Sequence, residues 1–167
     1  MSKVSELSDA PENAAHTAEI DALTGLASRG KGEAYLSYQL AVQHPTVVML
    51  IDLNNLKRFN HRWGHACGDQ ILQSVARELT ECAYRFSLVC RWEEDKFLVA
   101  SHPISDIAER EAVSLRDQMA KRYTVAAGNP PVELEITASA RVALAEWGDR
   151  VSDLIARAES DLLHHSL

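Results

Sequence analysis

Residues 46–53 read TVVMLIDL, a short uninterrupted run rich in β-branched side chains and carrying one acid near its end. Such a run predicts a strand covered on both faces, because a strand with one wet face alternates apolar and polar side chains. A doubly covered strand needs helices on each side of its sheet, and the flanking segments supply them. Before it, Ala34, Leu36, Tyr38, Leu40 and Val42 fill a predicted helix that Pro45 stops, since the residue before a proline is pushed out of the helical region. After a polar stretch around Asn54 and Asn55, residues 68–84 place Ile71, Leu72, Val75, Ala76 and Leu79 at helical spacing.

Residues 86–92 and 97–101 then read as two short strands joined by a polar turn at 93–96, a hairpin signal. A helix is predicted over 104–122 with Ser105 and Asp106 as caps, ended by the Gly128-Asn129-Pro130-Pro131 stretch. Alternation through Val132, Leu134, Ile136 and Ala138 to Val142 predicts a half-buried strand. Val151, Leu154, Ile155, Ala158 and Leu162 predict a last amphipathic helix. The hairpin forces antiparallel neighbours, so the expected sheet is mixed and the class α/β.

At 167 residues and 46% hydrophobic, the chain holds one domain's worth of core without staples. Its formal charge of -7 sets a long-range field that repels nucleic acid and anionic membrane, so neither is expected as a partner. Cys67, Cys82 and Cys90 follow no metal or redox spacing, and are expected as free thiols in or near the core. Residues 1–15 are polar and acidic and are expected as a flexible tail ahead of a domain at 16–167. No apolar stretch approaches a membrane span or a leader, so a soluble, cytoplasmic protein is expected.

Four segments in order carry a family resemblance. They are Asp21-Ala22-Leu23-Thr24-Gly25-Leu26-Ala27-Ser28-Arg29; Ile51-Asp52-Leu53-Asn54-Asn55-Leu56-Lys57-Arg58-Phe59-Asn60; Gly64-His65-Ala66-Cys67-Gly68-Asp69; and Arg91 through Phe97. Together they resemble the GGDEF domain of diguanylate cyclases, with Glu93-Glu94-Asp95-Lys96-Phe97 standing where the signature belongs. The resemblance implies a fold like the palm of nucleotidyl cyclases, a mostly antiparallel sheet of about five strands flanked by helices. It implies two GTP molecules held by facing subunits of a homodimer, with Mg²⁺-assisted closure to cyclic di-GMP.

Carried over by position, Asp52, the Leu53 carbonyl and Asp95 correspond to Mg²⁺ ligands, present only with bound nucleotide. Asn60 and Asp69 correspond to the pair that reads the guanine edge, and Lys57 to a lysine near the phosphates. Bland readings stand beside these. Asp52 and Asp95 fit solvated acids beside a turn, Asn60 fits a turn residue, Asp69 fits a helix start favoured by the dipole, and Lys57 fits a solvated lysine. Trp63 and His65 are assigned to packing and local hydrogen bonding.

The departures weigh against turnover. Glu93 and Glu94 replace two glycines, and a primed turn would force positive φ on them at about 1 kcal/mol each. A carboxylate about 6 Å from a phosphate charge adds roughly 3 kcal/mol of repulsion at an effective dielectric of 20. Lys96 reverses the second signature acid, Asn54 replaces the second Asp of D-x-D, and Ser166 stands where a phosphate-binding lysine belongs. A product-inhibition motif would fall at Tyr84 and Ser87, and neither fits. Plain solvation of the cluster Asp52, Glu93, Glu94 and Asp95 is favoured over a dedicated cation site.

The sequence therefore reads as a degenerate relative in cyclic-di-GMP signalling, with no functional catalysis expected at positions 93–96, acting through a protein partner at its acidic hairpin tip. The alternatives are a receptor for GTP or cyclic di-GMP without turnover, and a cyclase that tolerates the altered loop.

Overall fold

In the computed structural model, which describes residues 19–82, 86–102, 107–128 and 130–160, the run at 46–53 becomes the central strand β1 (Val47–Asn54). Helix α1 (Arg29–Ala41) precedes it; α2 (Leu56–Trp63) and α3 (His65–Cys82) follow. Next come β2 (Leu88–Arg91), β3 (Lys96–Ser101), α4 (Ala108–Met119), β4 (Arg122–Val125), β5 (Val132–Glu135), β6 (Thr137–Leu144) and α5 (Val151–Ser160). The tail at 1–15, the caps Ser105 and Asp106, Tyr84 and Ser166 lie outside the described residues.

The main sheet has the order β2-β3-β1-β6 and every ladder in it is antiparallel. One-residue bridging by Ala27 alongside Cys90 is the parallel contribution at its edge. Alternate residues of β1 face opposite layers. Val47, Met49, Ile51 and Leu53 pack with α3 and α4, whereas Val48 and Leu50 pack with Leu36 and Leu40 of α1 and Leu154, Ile155 and Ala158 of α5. Each fully buried aliphatic or aromatic side chain contributes roughly 1.5–3 kcal/mol over leaving it wet, which is why a strand of this composition takes the centre.

Four features differ from the sequence reading. Among the described residues the main sheet holds four strands, and two more form a separate ribbon, β4-β5. The predicted helix at 104–122 stops at Met119 and the chain turns into β4, where Tyr123 and Val125 are buried and alternate with Arg122 and Thr124. The predicted strand at 132–142 divides at Ile136, whose N–H donates to the Lys121 carbonyl at 2.9 Å. β5 thereby stays with the ribbon and β6 moves on to pair with β1. The polar stretch after β1 hides α2, a helix whose only fully buried side chain is Leu56.

Helix α1 begins at Ser28, whose hydroxyl accepts from the Lys31 N–H at 3.3 Å, so the serine does the capping work at that motif position. All three cysteines are free, Cys67 and Cys90 buried and Cys82 partly so. Burial pushes the Cys90 thiol up to about 12, which makes it inert. Among the described residues, no helix is long and apolar enough to cross a membrane.

Candidate functional site

At the end of β1, the short helix α2 doubles back into α3 through Gly64, whose φ of 86° admits no ordinary side chain. The two helices pack so closely that a Cβ on Gly68 would lie 2.0 Å from the Asn60 side-chain oxygen. A cleft of about 510 Å³ opens between these helices and the hairpin turn. Lys57, Asn60, Asp69 and Asp95 all line it, so the folded chain gathers the expected guanine and phosphate residues with one of the two expected metal carboxylates.

Asn60 lies inside α2, with its carbonyl accepting from the Gly64 N–H at 2.8 Å, and is not a turn residue. Its Oδ1 is buried and has no hydrogen-bond partner among the described residues. Asp69 is the fifth residue of α3, past the first turn where a helix dipole favours acids, and it is exposed to the cleft. His65, assigned above to packing, is exposed and lines the same cleft, as do His61 and Arg91. Trp63 does pack against the core, beneath Arg62. His65 stood inside a motif segment but was assigned to packing, and nothing in the spacing flagged His61, because the helix that carries it looked like loop.

Arg91 binds the site together. Its guanidinium donates to the Glu94 carbonyl at 2.9 Å and pairs with the Asp21 carboxylate at 3.3 Å. Asp21 also accepts from the Thr24 N–H at 2.9 Å and hydroxyl at 2.6 Å. Burial works to raise the Asp21 pKa, but these Thr24 bonds and Arg91 overcome it and hold the carboxyl below its ordinary value. The aspartate-threonine-glycine motif near the N-terminus therefore acts as a rigid buttress under the hairpin.

The hairpin itself corrects two expectations. Among the described residues, positive φ outside glycine occurs only at Gln43 and Asn55, so Glu93 and Glu94 carry no such strain. The loop is wider than a two-residue primed turn: the Trp92 and Glu93 N–H groups both donate to the Lys96 carbonyl, at 2.8 and 3.2 Å. Nor is the tip a uniformly free acidic surface. Glu93 accepts from Lys96 at 2.9 Å and pairs with Arg29 at 3.5 Å, while Lys96 reaches Glu159 of α5 at 3.2 Å. Hydrogen bonding to Glu93, reinforced by Glu159 against a smaller burial effect, raises the Lys96 pKa and keeps it cationic.

Asp52 and Leu53 do not line the cleft. Leu53 is buried, and its N–H donates to the Asp95 carbonyl at 2.9 Å, tying the turn to β1. Asp52 is half-buried, paired in register with Lys96 on β3. Burial raises its pKa, the Asp95 and Glu93 charges add to the rise, and Lys96 and Arg141 oppose it. Asn54 turns to β6, donating to the Thr137 and Ser139 hydroxyls at 3.2 and 3.3 Å. A divalent cation fits this arrangement poorly. Of the two carboxylates expected to hold it, only Asp95 lines the cleft, while Asp52 pairs in register with Lys96.

The fold and this site define a nucleotidyl-cyclase-like palm domain. Residues 18–165 match the family described as Diguanylate cyclase, GGDEF domain, and the chain belongs to that family. It is a GGDEF domain of the cyclic-di-GMP signalling family. Diguanylate cyclase DgcM of Escherichia coli K12 is 32% identical over 163 residues, covering 90% of this chain and 38% of DgcM. Protein Rv1354c of Mycobacterium tuberculosis is 35% identical over 153 residues, covering 89% and 24% respectively. The chain thus spans well under half the length of these relatives.

Among solved structures, a sensory box/GGDEF family protein of Caulobacter crescentus superposes with a TM-score of 0.74 at 28% identity, over 87% of this chain and 96% of that one. Diguanylate cyclase SiaD of Pseudomonas aeruginosa, solved with its activator SiaC, gives 0.74 at 26% identity, over 90% and 59%.

Proposed function

We propose that this domain binds a guanine nucleotide in the cleft between α2, α3 and the hairpin and does not convert it to cyclic di-GMP. The observation that carries the reading is the buried, unpartnered Oδ1 of Asn60, held against Gly68 and beside Asp69. An orphaned buried acceptor costs about 1–3 kcal/mol, a cost that is removed when the Asn60 amide turns into the cleft to meet a donor on a bound base. Asp69 accepts from the N–H edge that guanine presents and adenine lacks. Against turnover stand Lys96 at a signature acid, Glu94 facing into the cleft, and Ser166 in place of a lysine.

The sequence favoured a protein-interaction role through the acidic tip. The engagement of Glu93 and the open guanine-reading cleft support the reverse order. A protein partner is the second reading, favoured by Trp147, which is 86% exposed on a turn that Arg157 pins by bonds to Asp149 at 2.7 Å and to the Leu144 carbonyl at 2.6 Å. A domain spanning 16–167, a cytoplasmic setting and pairing of two subunits belong to the same proposal.

Calorimetry with GTP, ATP and cyclic di-GMP, followed by product analysis, tests the reading. GTP is expected to bind at least tenfold more tightly than ATP, with no cyclic di-GMP formed. Asp69→Ala is expected to weaken GTP far more than Lys57→Ala. Equal affinity for GTP and ATP, or indifference to Asp69→Ala, leaves the guanine pocket a remnant, and turnover at rates typical of cyclases refutes the inactive reading.

A further inference from the structure

We infer that the cleft selects a guanine nucleotide bearing a single phosphate and takes it without a divalent cation. The inference rests on the guanine-binding reading above and adds the charge of the ligand and its independence of metal. A polyphosphate entering a site lined by carboxylates needs cations to offset it. Those nearby are engaged. Arg91 is held by Asp21 at 3.3 Å and the Glu94 carbonyl at 2.9 Å. Lys96 is held between Glu93 at 2.9 Å and Glu159 at 3.2 Å, and Arg29 is shared by Glu33 at 2.8 Å and Glu93 at 3.5 Å.

Lys57 differs. It is exposed on the cleft wall and makes no ion pair among the described residues. Glu94 and Asp95 line the same cleft, and among the described residues that line it no second Lys or Arg without an ion pair stands ready for a phosphate beyond the first. A metal does not fill that gap. Lys96 sits in register with Asp52, which places a positive charge beside one of the two carboxylates expected to hold a cation, and Asp52 does not line the cleft.

The test is calorimetry of the wild-type chain with guanosine, GMP, GDP and GTP, each in EDTA and in MgCl₂, with electron paramagnetic resonance of Mn²⁺ added to the protein alone. GMP is expected to bind about tenfold or more tightly than GTP, with chelation changing either by less than about twofold and no Mn²⁺ bound. Lys57→Ala is expected to erase the preference for GMP over guanosine. Lys96→Glu is expected to create Mn²⁺ binding and to raise the affinity for GTP in MgCl₂. Should three glutamates together prevent folding, Lys96→Gln is expected to move GTP the same way by a smaller factor.

GTP binding more tightly than GMP and lost in EDTA, or tight Mn²⁺ binding by the wild type, overturns this inference while leaving guanine recognition standing. Failure of all four ligands to bind refutes both.

Discussion

Gly68 shows how one missing methyl group shapes the candidate site. In a helix interior, alanine is favoured over glycine by about 1 kcal/mol, so Gly68→Ala gains helix stability locally. The new Cβ would lie 2.0 Å from the Asn60 Oδ1, the movable end of a side chain, which must swing aside. Gly68→Ala is therefore expected to melt within a few degrees of the wild type and yet to bind guanine nucleotide at least tenfold more weakly. Thermal melts beside calorimetry check this. Unchanged affinity would show that the Asn60 amide takes no part in recognition.

The β2-β3 hairpin is the element on which signature and structure disagree most. Its wide turn needs no glycine, and its acids differ in what they touch: Glu93 joins Arg29 and Lys96, whereas Glu94 faces the cleft with its carbonyl held by Arg91. Glu93→Lys removes two ion pairs and adds a charge beside two cations. Its expected cost is about 1 kcal/mol, or roughly a 2–4 °C fall in Tm. Glu94→Lys is expected to stay within about 0.5 kcal/mol of the wild type, as an exposed position without such partners. Separate melts of the two single variants decide it, and equal destabilisation would mean that the network around Lys96 has no energetic weight.

At the scale of the whole molecule, three of the described carboxyls move stability with pH in opposite directions. Asp149, hydrogen-bonded by Arg157, lies below its ordinary value, and Asp21 lies below it despite its burial, through Thr24 and Arg91. Both contribute stability above the unfolded pKa of about 3.9, and this is lost as pH falls through their folded values. Asp52 runs the other way. Its folded pKa is raised, so ionisation costs stability at neutral pH, and the cost fades as pH falls through that value. Asp52→Asn is expected to raise Tm at pH 7, with the gain gone below about pH 3.9, where both states are protonated. Melts of both proteins from pH 3 to 8 test the sign; a lower Tm for Asp52→Asn at pH 7 would contradict it.

The residues themselves determined the central strand, the helices that bury apolar faces at clear helical spacing, the hairpin and the family. These rest on local patterns: a continuous β-branched run at 46–53, and Ile71, Leu72, Val75, Ala76 and Leu79 on one face. Asn60, Asp69 and Lys57 were legible by motif position, and the fold brings them to one cleft with Asp95. What remained hidden depended on partners distant in sequence. Helix α2 is held by one fully buried residue and its seat on α3, so its own pattern is too polar to announce it. β4 becomes a strand because Tyr123 and Val125 find Leu134 and Val132 across the ribbon, and Ile136 ends β5 because its N–H meets the Lys121 carbonyl. Lys96 looked like a bare charge reversal; only folding brings Glu159 of α5 to it, 63 residues along the chain, and makes it part of the structure. Motifs fix which groups are present, but the orphaned acceptor on Asn60 and the occupied arms of Arg91 follow from how helices and turn close around one another.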